Sequence, residues 1–219
     1  MDVIERIISR GRLLSRNAES DIYLSRYLGE PVIVKKRVPK PYRNPSLDSR
    51  LRLLRTYREA NILYQSRGEG IPVPELYLVS LKSTALVYKY IEGKTLASHL
   101  LEYSLEVGSQ YLVEMGSIIG MLHSTNVVHG DPHPANFIIS DGKLYIIDFG
   151  LAFISSSTKE QVYDLDVVYR SLYSLIPKYA EEYFRRFLEG YRGAYYNSDE
   201  AIKLHSRVAR MGRYHERSG

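Results

Sequence analysis

Val128-His129-Gly130-Asp131-Pro132-His133-Pro134-Ala135-Asn136, followed shortly by Ile146-Ile147-Asp148-Phe149-Gly150, decides how this chain is read. The stretch holds an aspartate, an asparagine five positions later and a second aspartate beyond two short apolar runs. Those runs, Asn136 to Ile139 and Leu144 to Ile147, are strand-like, and Asp141-Gly142 between them is a hairpin signal. Magnesium asks for hard oxygen ligands in near-octahedral geometry and leaves part of its shell to substrate phosphates. Asn136 and Asp148 at adjacent ends of one hairpin would aim at a common ion, and Asp131 would orient or deprotonate an acceptor. Each piece alone is common, and an Asp-Pro pair is more often a turn than a base. The ordered set is far more specific. His129 and His133 stand at i, i+4, but Pro132 and Pro134 break any helix there and no third ligand is near, so His129 is assigned a structural role.

Moving outward, Leu112, Met115, Ile119 and Leu122 recur at helical spacing and predict a buried helix ending near His123. Further upstream, Asp21 to Leu28 and Pro31 to Val38 flank Gly29-Glu30 and predict a hairpin. Pro39, Pro41 and Pro45 forbid regular helix until Ser46, the expected N-cap of a helix over Leu47 to Gln65 that Gly68 and Gly70 close. Leu76 to Ser80 and Ala85 to Ile91 read as two more strands, and the pattern from Lys159 onward is helical. Strands plus one helix, then mainly helices around one hairpin, predict an α+β chain of two lobes sharing a cleft. The join falls near Glu92-Gly93, giving lobes over 1–92 and 93–219.

The 219 residues suffice to bury a core without staples, and the absence of cysteine excludes disulfides, thiolate metal sites and a cysteine nucleophile. The expected compartment is therefore the cytoplasm. Met1 to Leu14 reads as neither signal nor transit peptide, and no apolar run reaches membrane-spanning length. The net charge of +5 is unevenly placed. Basic residues crowd the segment from Lys35 to Arg58 and the tail at Arg207, Arg210, Arg213 and Arg217. Such clusters serve either a polyanionic partner or a solvated helix face.

The phosphoryl-transfer reading asks for a lysine on a strand of the first lobe to reach the nucleotide phosphates. Val32-Ile33-Val34-Lys35 supplies one, with Lys36 on the opposite face of the strand. Its glutamate partner on the following helix is expected to be Glu59, the one acidic residue between Ser49 and Gly68, with surface pairing to Arg55 as the alternative. No Gly-x-Gly-x-x-Gly loop precedes the second strand, so phosphate contacts there fall to Asn17 and Ser20 in Ser15-Arg16-Asn17-Ala18-Glu19-Ser20.

Val34 to Asp48, then Leu51-Arg52, Arg55-Thr56 and Glu59-Ala60, resemble the Bud-type (PRPK-like) atypical serine/threonine kinases of the KEOPS/EKC tRNA-modification complex, in their archaeal form. Tyr90-Ile91-Glu92-Gly93, Ile147 to Leu151, Val162 to Val167 and Arg210-Met211-Gly212-Arg213 extend the resemblance over nearly the whole chain. It implies a two-lobed protein-kinase-like fold with a small β-rich N-lobe and a minimal helical C-lobe. ATP and magnesium would be cofactors. Asp131, Lys35 and Glu59 would be catalytic; Lys35, Asn17, Ser20, Asn136 and Asp148 would bind cofactor, the last two through the metal. It further implies ATPase activity beside a tRNA-modifying subunit and other KEOPS subunits, in formation of threonylcarbamoyladenosine in tRNA. Serine/threonine kinase activity and autophosphorylation would appear in isolation, with tRNA met through the complex and no membrane involved. Pro132-His133-Pro134-Ala135 stands where that family typically has Leu-Thr-Thr-Ser, and is similar instead to RIO-like and small-molecule kinases, the alternative reading.

Overall fold

The computed structural model describes residues 2–216 apart from 103–104, with side chains described outside 105–107 and 209–216. The chain divides into two compact units, Met1–Ile91 and Glu92–Gly219. The basic tail expected at Arg210, Arg213 and Arg217 lies outside the described side chains.

The first unit is an antiparallel sheet of five strands in the order β1-β2-β3-β5-β4, with one helix ahead of it and one inserted. Helix α1 (Val3–Ser9) leads to β1 (Arg12–Arg16), β2 (Ser20–Tyr27) and β3 (Glu30–Arg37); α2 (Pro45–Gly68) follows, then β4 (Leu76–Ser80) and β5 (Ala85–Lys89). The β-branched run of β3 suits a central, doubly flanked strand. Val32 and Val34 face one way, packing with Ile4 and Ile7 of α1 and with Ala85 and Val87 of β5. Ser25 Oγ donates to the Ile7 carbonyl at 2.6 Å and Lys36 Nζ reaches Glu5 at 2.6 Å, so the strand's even face holds α1. That helix was not read from the sequence, because seven residues hold barely two turns of apolar period.

Two details correct the sequence reading. The β2–β3 turn sits on Leu28 and Gly29, with φ of 52° and 89°, one position earlier than expected. A two-residue type I′ turn needs positive φ at both central positions, and glycine suits the second. Helix α2 begins at Pro45 and is capped by Asn44, whose Oδ1 accepts from Ser46 N at 3.0 Å and Leu47 N at 3.4 Å. Proline at the first helical position sacrifices only an N–H that has no helical partner.

Charge, more than an apolar stripe, seats α2. Asp48, 2% exposed, accepts from Lys40 N at 3.2 Å and Arg52 Nε at 2.8 Å, with Arg43 Nη1 3.8 Å away. The Arg52 hydrogen bond holds the Asp48 carboxyl below the usual carboxylate range. Glu19 binds Arg55 at 2.6 Å and Lys40 at 3.5 Å. Much of the basic segment is thus spent inside the unit, while Arg50 and Arg58 remain exposed.

The second unit opens with β6 (Lys94–Thr95), α3 (Leu96–Glu102) and α4 (Leu105–Ser124). Strands β7 (Val127–Val128), β8 (Phe137–Ser140), β9 (Lys143–Ile146) and β10 (Phe153–Ile154) follow, then α5 (Thr158–Leu175), α6 (Ala180–Ala194) and α7 (Ser198–Glu216). The periodic Leu112, Met115, Ile119 and Leu122 of α4 are all fully buried. Helices α4 and α6 meet backbone to backbone. A Cβ on Gly116 would lie 1.9 Å from the Phe187 carbonyl oxygen, and one on Gly190 would lie 1.8 Å from that of Val113. Beside this crossing, the buried rings of Tyr183, Phe187 and Tyr191 line α6. Among the described residues no helix is long and apolar enough to cross a membrane.

Candidate active site

In the first unit, strand alternation places Ile33, Lys35 and Arg37 on the face opposite α1. Lys35 Nζ lies 2.6 Å from Glu59 Oε1, and the two residues are 5% and 2% exposed. Glu59 therefore pairs with Lys35 rather than with Arg55, which is committed to Glu19. Its other oxygen, Oε2, accepts from Arg37 Nη2 at 2.6 Å. Sequence reasoning overlooked Arg37; the signal was its position two residues after Lys35 on the same strand, hence on the same face. In the turn between β1 and β2, Asn17 is exposed and its N–H donates to the Ser20 carbonyl at 2.9 Å. Ser20 is buried at the start of β2, paired in register with Arg37.

In the second unit, β8 and β9 pair from Phe137↔Ile146 to Ser140↔Lys143. Asp141 and Gly142, both at positive φ (49° and 73°), make the turn that this dipeptide favours. A 3-10 turn, Pro134–Asn136, leads into β8, and the Asn136 carbonyl accepts from Ile147 N at 2.9 Å. The two ends of the hairpin thus carry Asn136 and Asp148. Asn136 Nδ2 donates to the Asp131 carbonyl at 2.9 Å and to Asp131 Oδ2 at 3.2 Å. With its nitrogen so engaged, the amide oxygen Oδ1 is the atom by which Asn136 could ligate a cation. Asp148 takes a left-handed conformation, φ 63° and ψ 71°, and its Oδ1 accepts from Gly150 N at 3.2 Å. A non-glycine residue in that region is sparsely populated and persists only when its surroundings fix it.

The loop of Asp131 hangs from a buried carboxylate. Asp164 of α5 is fully buried; its Oδ2 accepts from His129 N at 2.7 Å and its Oδ1 from Gly130 N at 2.8 Å. His123 Nε2 stands 3.1 Å from Oδ2, and His123 Nδ1 meets the Tyr191 hydroxyl at 2.8 Å. Sequence reasoning gave neither residue this part: His123 marks only the end of a helix there, and Asp164 only a place in the stretch Val162 to Val167 that carries the resemblance. His129 is fully buried against the Phe149 ring. Its Nδ1 accepts from Asp131 N at 3.3 Å, which leaves the proton on Nε2 to donate to the Ile147 carbonyl at 3.2 Å. Burial pushes its pKa below the ordinary histidine value, in keeping with this neutral tautomer. His133 Nδ1 accepts from Ala135 N at 3.2 Å, and its Nε2 lies 3.7 Å from Asp131 Oδ2.

Among the described residues there is no group of three or more His, Asp or Glu that could hold a metal by itself. One amide oxygen and one carboxylate fit magnesium held jointly with phosphate oxygens, a hard cation that keeps few protein ligands.

A five-stranded sheet with a buried lysine–glutamate pair, and a hairpin carrying Asn136 and Asp148 beside Asp131, define a protein-kinase-like domain. The protein kinase domain family matches residues 29–175, and the class is that of an ATP-dependent phosphotransferase. Similarity over the chain is closer still. It is 37% identical to the KEOPS complex subunit Bud32 of Pyrococcus abyssi, over 94% of this chain and 98% of that protein. It is 38% identical to the probable bifunctional tRNA threonylcarbamoyladenosine biosynthesis protein of Methanocaldococcus jannaschii, over 93% of this chain but only 37% of that protein. In solved structures, the Rio2 kinase–ADP/Mg2+–phosphoaspartate complex of Chaetomium thermophilum shares the fold. Its TM-score is 0.64 at 16% identity, over 92% of this chain and 67% of that one. The chain belongs to the Bud32 family of protein kinase domains.

Proposed function

We propose that the chain is the Mg-ATP-dependent kinase and ATPase subunit of a KEOPS complex, supporting formation of threonylcarbamoyladenosine in tRNA. The observation that carries this reading is the bond from Asn136 to Asp131 at the head of the hairpin that ends in Asp148. It joins an acid–base carboxylate to one of two neighbouring oxygen ligands. Full-length similarity to a Bud32 subunit supports the assembly. Asp131 orients the attacking hydroxyl or water and accepts its proton. Asn136 Oδ1 and the Asp148 carboxylate hold magnesium, which when bound neutralises charge on the phosphoryl oxygens. Lys35, kept in place by Glu59, grips the α- and β-phosphates, with Asn17 and Ser20 contributing from the β1–β2 turn. In isolation the same residues transfer phosphate to serine or threonine, including on the chain itself. The partners are the tRNA-modifying subunit and the other KEOPS subunits, with tRNA met through the complex in the cytoplasm.

The test is phosphate release from Mg-ATP by the wild type and by Asp148→Ala, with tRNA and the modifying subunit present and then absent. Turnover that needs the partners and falls about 10²- to 10⁴-fold in the variant supports the reading. Near-wild-type turnover in Asp148→Ala removes the assignment of the metal site. Partner-independent transfer to a small molecule favours the RIO-like or small-molecule kinase alternative that Pro132-His133-Pro134 suggests.

A further inference from the structure

We propose that Arg37 is a positioning residue for Lys35, acting through Glu59 so that the lysine–glutamate pair stays assembled whether or not nucleotide is present. The inference rests on the assignment of Lys35 to the phosphates. A carboxylate held by one cation can turn about its terminal torsion, which is broad, and exchange its two oxygens. Glu59 has no such freedom. Oε1 is held by Lys35 and Oε2 by Arg37, each at 2.6 Å, and all three residues are at most 5% exposed. Residues two apart on a strand share a face about 7 Å apart. The carboxylate of α2 therefore sits between two fixed points of β3.

Arg37 is itself anchored. Its backbone N–H donates to the Thr84 carbonyl at 3.0 Å, and its carbonyl accepts from Thr84 Oγ1 at 3.5 Å. The same hydroxyl accepts from Arg52 Nη1 at 3.1 Å, and Arg52 holds Asp48 at 2.8 Å. The line Asp48–Arg52–Thr84–Arg37–Glu59 ties the first turn of α2 and its middle to the sheet. A guanidinium suits the buried end of that line, being always charged, weakly hydrated and planar. With α2 tied at both points, Lys35 meets its glutamate without a helix movement. Control of turnover must then act elsewhere in the molecule.

The test measures kcat and KM for ATP in the assembled complex, for the wild type, Arg37→Ala, Arg37→Lys, Glu59→Gln and the Arg37→Ala/Glu59→Gln double variant. Lys35→Ala serves as reference, and thermal melts verify folding. Arg37→Ala is expected to lower kcat/KM about 10- to 100-fold, the usual cost of small misplacement of a positioning group. Arg37→Lys is expected to recover most of the loss, and the double variant to be no worse than Glu59→Gln alone. Where Arg37→Ala does not fold, Arg37→Gln carries the same comparison. Wild-type kcat/KM in Arg37→Ala beside an inactive Lys35→Ala overturns the role of Arg37 and leaves that of Lys35 standing. Multiplying losses in the double variant also overturn it, because Arg37 would then act independently of Glu59. Wild-type turnover in Lys35→Ala overturns the lysine assignment, and this inference with it.

Discussion

Asp164→Ala is the substitution whose cost can be worked most directly from the structure. The buried carboxylate accepts from His129 N at 2.7 Å and Gly130 N at 2.8 Å, and faces His123 Nε2 at 3.1 Å. Alanine would leave two backbone donors and one ring nitrogen without their acceptor. Each orphaned buried group costs about 1–3 kcal/mol, so roughly 3–9 kcal/mol is at stake. Removing a buried charge returns part of its desolvation cost, which brings the expected loss to about 4 kcal/mol. For a chain of this size 1 kcal/mol shifts Tm by about 2–4 °C, so a fall of roughly 8–16 °C is expected. Scanning calorimetry on wild type and variant reads it directly. Asp164→Asn is the companion, since its amide nitrogen cannot accept and only one oxygen remains, and it should lose about half as much. The loop bearing Asp131 hangs from these bonds, so kcat should fall in the folded fraction as well. A Tm within about 2 °C of wild type for Asp164→Ala would refute the reasoning, because it would mean that the three donors find other partners without cost.

Three further outcomes are expected. Gly190→Ala places a methyl 1.8 Å from the Val113 carbonyl oxygen, so α4 and α6 must part at the cost of about 3 kcal/mol or more; chemical denaturation measures it, and an unchanged midpoint contradicts the packing. His205 lies among Tyr169, Phe184 and Asp166, and burial holds its pKa below the ordinary 6.5. The native state therefore binds fewer protons than the unfolded state just below that value. Stability present above about pH 6.5 is lost as pH falls towards the lower folded value, by up to about 1.4 kcal/mol per unit. His205→Phe should flatten this acid limb in melts taken between about pH 6.5 and 5, and an unchanged slope counts against it. Reversing charge at Arg43, Arg50 and Arg52 together should loosen α2 and weaken ATP binding, because two of the three hold Asp48. Intact ATP affinity by titration calorimetry would mean that Asp48 does not seat the helix.

Legibility in the sequence followed the range of the forces involved. The Asp141-Gly142 hairpin and the α4 stripe announce themselves because turn chemistry and apolar period are local. Lys35 against Lys36 was separable for the same reason, since a strand alternates. Glu19, Asp48 and Asp164 were not legible. Glu19 and Asp164 meet partners on other elements, and only the fold brings Arg55 or the His129 amide to them. Asp48 has Arg52 one turn along its own helix, but its burial against Lys40 N and Arg43 depends on the fold. The charges from Lys35 to Arg58 read equally well as a surface for a polyanion; pairing within the unit took up most of them. The Asn44 cap was missed because three prolines nearby masked the helix start, although proline is welcome at that first position.

The hairpin of β8 and β9 also bears on how freely this site can change over evolutionary time. Asn136 and Asp148 are spaced by counting pairs along a ladder, and a slip of one residue would turn every side chain of a strand to the other face. That spacing is all or nothing and does not drift by fractions of an ångström. Pro132, His133 and Ala135 lie outside the ladder, where replacement leaves the count untouched. Descendants of one ancestral chain can therefore trade the loop residues beside Asp131 while Asn136 and Asp148 stay at a fixed gauge.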